Sequence, residues 1–336
     1  MPSVDEDDAA AERRRAYYDD SSGSSSDNDN ADANDDGGWD ATTWNPAVAA
    51  VAAVAADAGV ERALEDAPSP DPRCDILEVF PPSTDNNGTS APSLREFLDE
   101  FVARGRPAVF RGAGRGLPIR SSFRKSAFVE QYGRHRVPVS TIPYAGSFGM
   151  RAAVTTMAEL ANATTDGGAA AAAAGQSYAF STPMQDYIAE MQRDAPPPPF
   201  LAELLSGPEA SAELQFFLGP AGSGAPVHFH GHAVNVLAYG AKRWFLYPPA
   251  AARYSKRAAQ PFARDLHAAA AAAASEEAAA KKEREDDGAS AWEPLECVQE
   301  AGDLMFVPTL WAHGTLNLKQ SIGVAYELSV ESFCME

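Results

Sequence analysis

The sequence predicts a mainly β protein with flanking helices, built as an antiparallel β-sandwich or barrel. From Glu213 onward, short apolar runs alternate with glycine and proline, which is typical of such folds. Helix signals cluster between residues 93 and 185, ahead of the strand-rich part. The chain has 336 residues, of which 45% are hydrophobic, enough for one sizeable core or two small ones.

The first part of the chain predicts a disordered acidic tail over residues 1–72, rich in Ala and Ser. Its Asp, Ser, Asn, Gly and Ala cannot bury enough apolar surface to offset the entropy of ordering. Residues 1–40 hold 13 acidic and 3 basic side chains, about half of the net charge of −20. Because phosphate contacts need a basic face, we expect no nucleic-acid partner. The tail is either an interaction segment or a solvated extension without a partner.

Features of the sequence support two different cellular compartments. The acidic residues 1–8 lack the basic start of a signal peptide, and the Ala47–Ala56 run is too short to span a bilayer. We therefore expect no transmembrane segment and a cytoplasmic or nuclear protein. The Asn87 and Asn162 sequons suit a secretory protein instead. The three cysteines are too few for a disulfide framework, although two of them can form one disulfide bridge.

Order is expected from about residue 75 to residue 336, with low-complexity inserts near 167–175 and 268–288. A capping box at Ser93–Glu96 starts a helix, and Ser126–Tyr132 predicts a second one. Arg106–Gly112 predicts a short strand, and Thr182–Gln185 predicts another helix start with proline at its first position. The later apolar runs predict the strands Leu214–Leu218, Val234–Tyr239, Arg243–Tyr247, Leu304–Val307 and Gly323–Val330.

Histidines provide the strongest chemical signal in the sequence. His228 and His230 alternate with Phe229, so on an extended segment both imidazoles point to one side. His313 follows a strand and a proline turn, and it is the third candidate ligand of one metal ion. His232 is either a spare ligand or a loop residue, since Gly231 interrupts the alternation.

Two stretches of the sequence resemble the paired motifs of the cupin superfamily. Gly222–Gly240 contains a glycine, five residues and His-x-His, and Gly302–Asn317 contains a glycine, five residues, a proline, a histidine and an asparagine. Within that superfamily the chain resembles the jumonji C (JmjC) domains, and most of all the JmjC domain-containing protein 8 group. The resemblance covers roughly residues 75–335. The residues that carry it are His228-Phe229-His230, the run Tyr239–Pro249, Trp311-Ala312-His313 and Leu316-Asn317-Leu318.

This resemblance implies a double-stranded β-helix, a jelly-roll barrel with helices packed outside. It implies Fe(II) inside the barrel, with 2-oxoglutarate and O₂ used to hydroxylate or demethylate protein side chains. His228 and His313 then fall on metal-ligand positions, and Lys242 on the lysine that pairs with the distal carboxylate of 2-oxoglutarate. Asn235 and Asn317 fall on cosubstrate-site asparagines. A buried dicarboxylate needs such a cation on physical grounds as well.

The sequence departs from that pattern at the third ligand. His230 occupies the position where the family has a carboxylate, and no Asp or Glu lies between His228 and Lys242. Ala225 stands where many relatives have a Thr or Ser that hydrogen-bonds the cosubstrate. Three histidines still form a metal site, and they suit zinc as well as Fe(II).

Three functions follow from these observations. The first is an Fe(II)/2-oxoglutarate-type protein hydroxylase whose atypical metal site is His228, His230 and His313. The second is a catalytically inactive metal-binding protein whose barrel serves protein interaction. The third is a thiol-dioxygenase-like enzyme that uses the same histidines without a cosubstrate. Either of the first two implies a protein substrate or partner, and the family resemblance implies the endoplasmic reticulum lumen as the alternative compartment.

Overall fold

A computed structural model of the chain describes residues 73–80, 91–142, 152–162, 178–181, 183, 186–208, 210–273 and 293–330. The predicted tail of residues 1–72 and the insert of 167–175 lie outside these ranges. So do Asn87 and residues 274–288 of the second insert, whose first residues belong to a helix.

Short helices precede and flank the strands. The predicted Ser93 cap is present, since the N–H of Glu96 donates to Ser93 Oγ at 3.2 Å, and the chain then continues as a π-helix over Phe97–Val102. The predicted helix over Ser126–Tyr132 is also present and ends at Gly133. The helices are α1 (Leu94–Glu96), α2 (Ile119–Ser122), α3 (Lys125–Tyr132), α4 (Met157–Asn162), α5 (Ile188–Asp194), α6 (Pro199–Leu204) and α7 (Ala259–Ala273).

One predicted helix start stays a prediction. Thr182, Met184 and Gln185 lie outside the described residues, and the next helix in the structure begins at Ile188. None of the helices in the described ranges is long and apolar enough to cross a membrane.

Within the described ranges, twelve strands form the sheets, and each of the six predicted strand segments coincides with one of them. The strands are β1 (Leu77–Val79), β2 (Ala108–Phe110), β3 (Arg136–Val139), β4 (Ala153–Thr156), β5 (Ala179–Ser181), β6 (Ala210–Gly219), β7 (His232–Tyr239), β8 (Ala241–Tyr247), β9 (Leu295–Glu300), β10 (Leu304–Val307), β11 (Ala312–Asn317) and β12 (Ser321–Val330). The sequence patterns did not predict the other six strands, which are β1, β3, β4, β5, β9 and β11. In β9 and β11, polar residues at buried positions, such as Gln299, and a glycine, Gly314, weaken the strand signal, and pairing with β8 decides both strands.

The strands form a jelly-roll of two main sheets. The larger has the order β1-β2-β10-β7-β12-β6-β5, and the smaller has the order β11-β8-β9. A separate two-stranded sheet joins β3 and β4. All pairs are antiparallel except β1 with β2, which run parallel. Long β12 pairs with β6 along its whole length and with β7 on its other side.

Alternation along the strands separates an outer core from the barrel interior. On β12, Val324, Tyr326 and Leu328 join the outer core, where aromatic residues from the helices pack on the large sheet. Phe128 of α3 stacks on Phe216 of β6 with ring centroids 5.7 Å apart. Residues of the opposite parity, such as Ala325, face the barrel interior, so period-two alternation decides which side chains reach the site.

The segment at residues 73–80 is tied to the barrel by a disulfide and an ion-pair cluster. Cys74 and Cys297 form the one bridge that the sequence left open. Arg111, just after β2, lies 2.7 Å from the carboxylates of both Glu78 and Asp303. These contacts fix β1 and β2 against β9 and β10.

Candidate metal centre

Two separate segments meet where the histidines lie. Residues 227–231 belong to the connection between β6 and β7 and form no regular strand. Among them, only His228 makes a β-bridge, with His313 of β11. The alternation still holds, because Phe229 points away and packs on Tyr254, with ring centroids 4.4 Å apart.

The imidazoles of His228, His230 and His313 converge. Their ring centroids lie 5.3 Å apart for His228 and His230, 4.4 Å for His228 and His313, and 4.8 Å for His230 and His313. One ring nitrogen from each lies within 4.8 Å of the other two. Three such nitrogens around one point match the donor set of a protein-bound divalent metal ion.

Backbone carbonyls fix the orientation of each ring. The Nδ1 atoms donate to the carbonyl oxygens of Pro226, Gly231 and Trp311 for His228, His230 and His313, at 2.8, 2.9 and 3.0 Å respectively. Because a carbonyl only accepts, each Nδ1 carries the proton and each Nε2 keeps its lone pair. The three rings are thus held in the tautomer that a metal ion requires at Nε2.

Burial keeps two of these rings neutral. Burial lowers the pKa of His228 to about 3, with a smaller contribution from neighbouring His230. Burial likewise lowers the pKa of His313 well below its ordinary value, with smaller contributions from the other two histidines. Because metal binds the neutral imidazole, these two rings are ready for ligation at neutral pH.

Lys242 lies in the same cavity as the imidazoles and is 1% exposed. Its Nζ donates to the hydroxyl oxygen of Tyr178 at 2.7 Å and lies 3.6 Å from the centroid of the Phe217 ring. Burial lowers the pKa of this amine well below its ordinary value. No carboxylate of the described ranges pairs with it, so the cavity contains a buried amine without an anionic partner.

The two predicted asparagines lie in different surroundings. Asn235 of β7 lines the cavity, and its Oδ1 has no hydrogen-bond partner among the residues that the structure describes. Asn317 instead holds the β6–β7 connection, since its Nδ2 donates to the carbonyl oxygen of Gly219 and to Ser223 Oγ. Ala225 also lines the cavity, so this position offers no side-chain hydroxyl to a ligand.

His232, the spare ligand considered from the sequence, is not part of the cluster. Its Nδ1 accepts the N–H of Thr309 at 3.0 Å, and its ring stacks on Phe306 with centroids 5.8 Å apart. Because His232 opens β7 on the parity of Val234 and Val236, its ring lies with the outer core.

Tyr178, Thr315 and Glu327 are among the residues that line this cavity and that sequence reasoning did not single out. Thr315 lies two residues after His313 on β11, and its hydroxyl hydrogen-bonds Tyr178. Glu327 alternates with apolar Tyr326 and Leu328 on β12, a pattern that signals an inward-facing acid. No local signal marks Tyr178, which reaches Lys242 through the pairing of β5 with β6.

The cavity is lined by Tyr178, Phe180, Gln215, Ala225, His228, His230, Ala233, Asn235, Lys242, Trp244, Val307, His313, Thr315, Ala325 and Glu327. It encloses about 30 Å³ of free volume. A void of that size holds a metal ion or one or two water molecules.

Comparison with known proteins identifies several relatives of this chain. The human JmjC domain-containing protein 8 is 33% identical over 139 residues, which are 41% of this chain and 44% of that protein. A Danio rerio protein named 2-oxoglutarate and iron-dependent oxygenase JMJD4 is 32% identical over 111 residues, 32% of this chain and 24% of the relative. A Caenorhabditis elegans protein named bifunctional arginine demethylase and lysyl-hydroxylase psr-1 is 33% identical over 125 residues, 35% of this chain and 30% of the relative.

Each of these alignments spans less than half of the relative's own length. The family comparison covers more of this chain, since the sequence model of the cupin-like domain matches residues 94–326. That range contains the strands β2 to β11, the first part of β12 and all three converging histidines. The chain therefore belongs to the cupin-like, JmjC-type family.

Proposed function

We propose that the chain is an Fe(II)/2-oxoglutarate-type oxygenase that hydroxylates a protein side chain at a three-histidine metal site. The observation that carries this proposal is the position of Lys242, whose buried amine lies in the same cavity as the three imidazoles. A metal site alone does not require a buried amine beside it, whereas a buried carboxylate ligand requires a cationic partner, which this amine becomes when it is protonated.

The residues present fit a divalent metal ion. His228, His230 and His313 would hold it through Nε2. Asn235 lines the same cavity, and its buried Oδ1 has no hydrogen-bond partner in the described part of the chain. Such a buried, unsatisfied oxygen is unfavourable unless a ligand or an ordered water satisfies it. When bound, Fe(II) with 2-oxoglutarate supplies the activation of O₂ that C–H hydroxylation needs.

The residues also fit a carboxylate at the far end of the cavity. An anion beside Lys242 Nζ and the Tyr178 hydroxyl would accept a charge-assisted hydrogen bond from the ammonium and a second one from the phenol. Thr315 supports Tyr178 from the other side. These three side chains would bind and orient the cosubstrate while the apolar walls exclude water.

A second function is favoured by one observation, the free volume of about 30 Å³. A dicarboxylate needs more room than that, so side chains around Lys242 must move before it enters. If they do not move, the barrel binds a metal ion and acts through protein interaction without turnover. The histidine at the carboxylate position supports the same alternative.

The test is succinate release from 2-oxoglutarate by the iron-loaded protein. Turnover that Lys242→Ala abolishes, with metal content unchanged, supports the oxygenase. Bound metal without turnover, and no thermal shift with 2-oxoglutarate, supports the non-catalytic function. Oxygen uptake that depends only on a small thiol would instead indicate a thiol dioxygenase.

His230→Asp provides a sharper version of this test. The variant rebuilds the two-histidine, one-carboxylate donor set that Fe(II) oxygenases use. We expect it to raise 2-oxoglutarate decarboxylation above that of the wild type. An inert His230→Asp that still binds metal would show that the ligand substitution is not the only obstacle to turnover.

A protein is the proposed substrate class. The relative named psr-1 is by that name an arginine demethylase and lysyl-hydroxylase, and a relative from Arabidopsis thaliana is named an arginine-specific demethylase. Hydroxylation of a protein would appear as a mass increase of one oxygen atom on a peptide recovered from proteins incubated with the iron-loaded enzyme.

For the compartment, we propose the endoplasmic reticulum lumen. The Cys74–Cys297 disulfide supports this choice, because such bonds persist in oxidising compartments. Asn162, in one of the two sequons, is exposed at the end of α4. Glycosidase treatment of the cellular protein should change its mobility, and Asn87→Gln with Asn162→Gln should remove the change. An unglycosylated protein with free thiols would place it in the cytosol.

A further inference from the structure

Glu327 is the one acidic residue among the described residues that line the cavity. It lies on β12, opposite Ala233 of β7, and its Oε1 is 3.6 Å from His230 Nδ1. Its neighbours Tyr326 and Leu328 point to the outer core, so the strand parity fixes its side chain toward the site.

No other lining residue in the described ranges carries a negative charge. An imidazole ligand brings no charge to a divalent ion, whereas a carboxylate ligand would offset one unit of its charge. The expected carboxylate position is His230, and Glu327 approaches that same imidazole from another strand. The Glu327 carboxylate thus places a negative charge beside a candidate ligand rather than at a ligand position.

We propose that Glu327 is a positioning residue that acts on the metal through His230. This inference rests on the proposed metal site. The Nδ1–H of His230 donates to the carbonyl oxygen of Gly231 at 2.9 Å, and the Glu327 carboxylate faces the same edge of the ring. A carboxylate there stabilises the Nδ1-protonated tautomer and makes Nε2 a stronger donor.

Exposure sets the size of the effect. The Glu327 side chain is 37% exposed and that of His230 is 20% exposed, so water screens part of the charge. Outer partners of metal-bound histidines change metal affinity by roughly 10–100-fold. We therefore expect the lower end of that range, about tenfold.

The experiment uses cobalt(II) as the probe with the full chain. Glu327→Gln should bind Co(II) about tenfold more weakly than the wild type and should shift the visible absorption bands of the bound ion. Glu327→Asp keeps the charge and should restore most of the affinity. Glu203→Gln, which removes an exposed carboxylate on α6, is the matched control and should leave both readouts unchanged.

The outcomes separate this inference from the proposed function. Unchanged Co(II) affinity and spectrum in Glu327→Gln would overturn the role of Glu327, whatever the enzyme activity. Weaker binding and a shifted spectrum in a protein that never turns over 2-oxoglutarate would support the role and reject the oxygenase. A wild-type chain that binds no Co(II) would overturn both. Circular dichroism of the metal-free variants verifies that each one folds.

Discussion

His228 and His313 donate their backbone N–H groups to each other's carbonyl oxygens, at 3.0 and 2.7 Å. This pair joins the β6–β7 connection to β11 at the point where both imidazoles enter the barrel. Because the backbone holds both residues, the ring positions do not depend on a bound metal. The site is therefore preorganised, and ligand residues can be tested one at a time without loss of the fold.

Removal of a cluster histidine should abolish metal binding. His313→Ala removes one of three donors, so its affinity for Zn(II) should fall by more than the roughly 100-fold that outer partners contribute. His232→Ala is the matched control, because that ring lies outside the cluster and stacks on Phe306. Competition titration with a chelating dye measures both variants. Equal losses in the two variants would contradict the assigned cluster.

Binding of 2-oxoglutarate should weaken as pH rises. Burial lowers the pKa of Lys242, so without a bound anion its amine loses its proton at a lower pH than an exposed lysine. The bound carboxylate favours the charged amine, so binding takes up a proton above that lowered pKa. Calorimetry in buffers of different ionisation enthalpy measures this uptake.

Two variants control this pH dependence. Lys242→Met should remove both the proton uptake and the binding, whereas Lys256→Met changes an exposed lysine and should preserve them. Tight binding to Lys242→Met would rule out this residue as the anchor of the carboxylate.

Reduction of the disulfide should destabilise the fold. The bond between Cys74 and Cys297 closes a long loop, with a sequence separation of 223. Removal of such a bond lowers the free energy of unfolding by about 2–5 kcal/mol. Urea unfolding of Cys74→Ser should show this loss, while Cys334→Ser should behave as the wild type. A wild type that unfolds at the same urea concentration with and without reductant would argue against the bridge.

Gly240 should not tolerate a side chain. Its φ is +100°, and an added Cβ would lie 2.2 Å from the carbonyl oxygen of Gln320. Gly240→Ala should lower the free energy of unfolding by more than about 2 kcal/mol, since strain and overlap add. Gly116→Ala is the control, because an added Cβ there meets nothing within 4 Å. Thermal unfolding distinguishes the two.

The fold class and most of the site were predictable from local patterns. Alternating apolar runs indicated the strands around Val234–Tyr239 and Arg243–Tyr247, and the histidine spacing indicated the ligand set. Those signals are local because strand parity and turn residues act over only a few positions. Six strands escaped prediction, β9 and β11 among them, and these two are decided by their pairing with β8 rather than by their own residues.

The sequence by itself determined that His228, His230 and His313 are the candidate donors and that Lys242 lies at the start of an apolar strand. Only the tertiary structure decided that these side chains share one cavity, that Tyr178 holds Lys242 and that Glu327 faces His230. The reason is that such contacts join residues far apart in the chain. Sheet order and register, which depend on the packing of the whole barrel, bring them together.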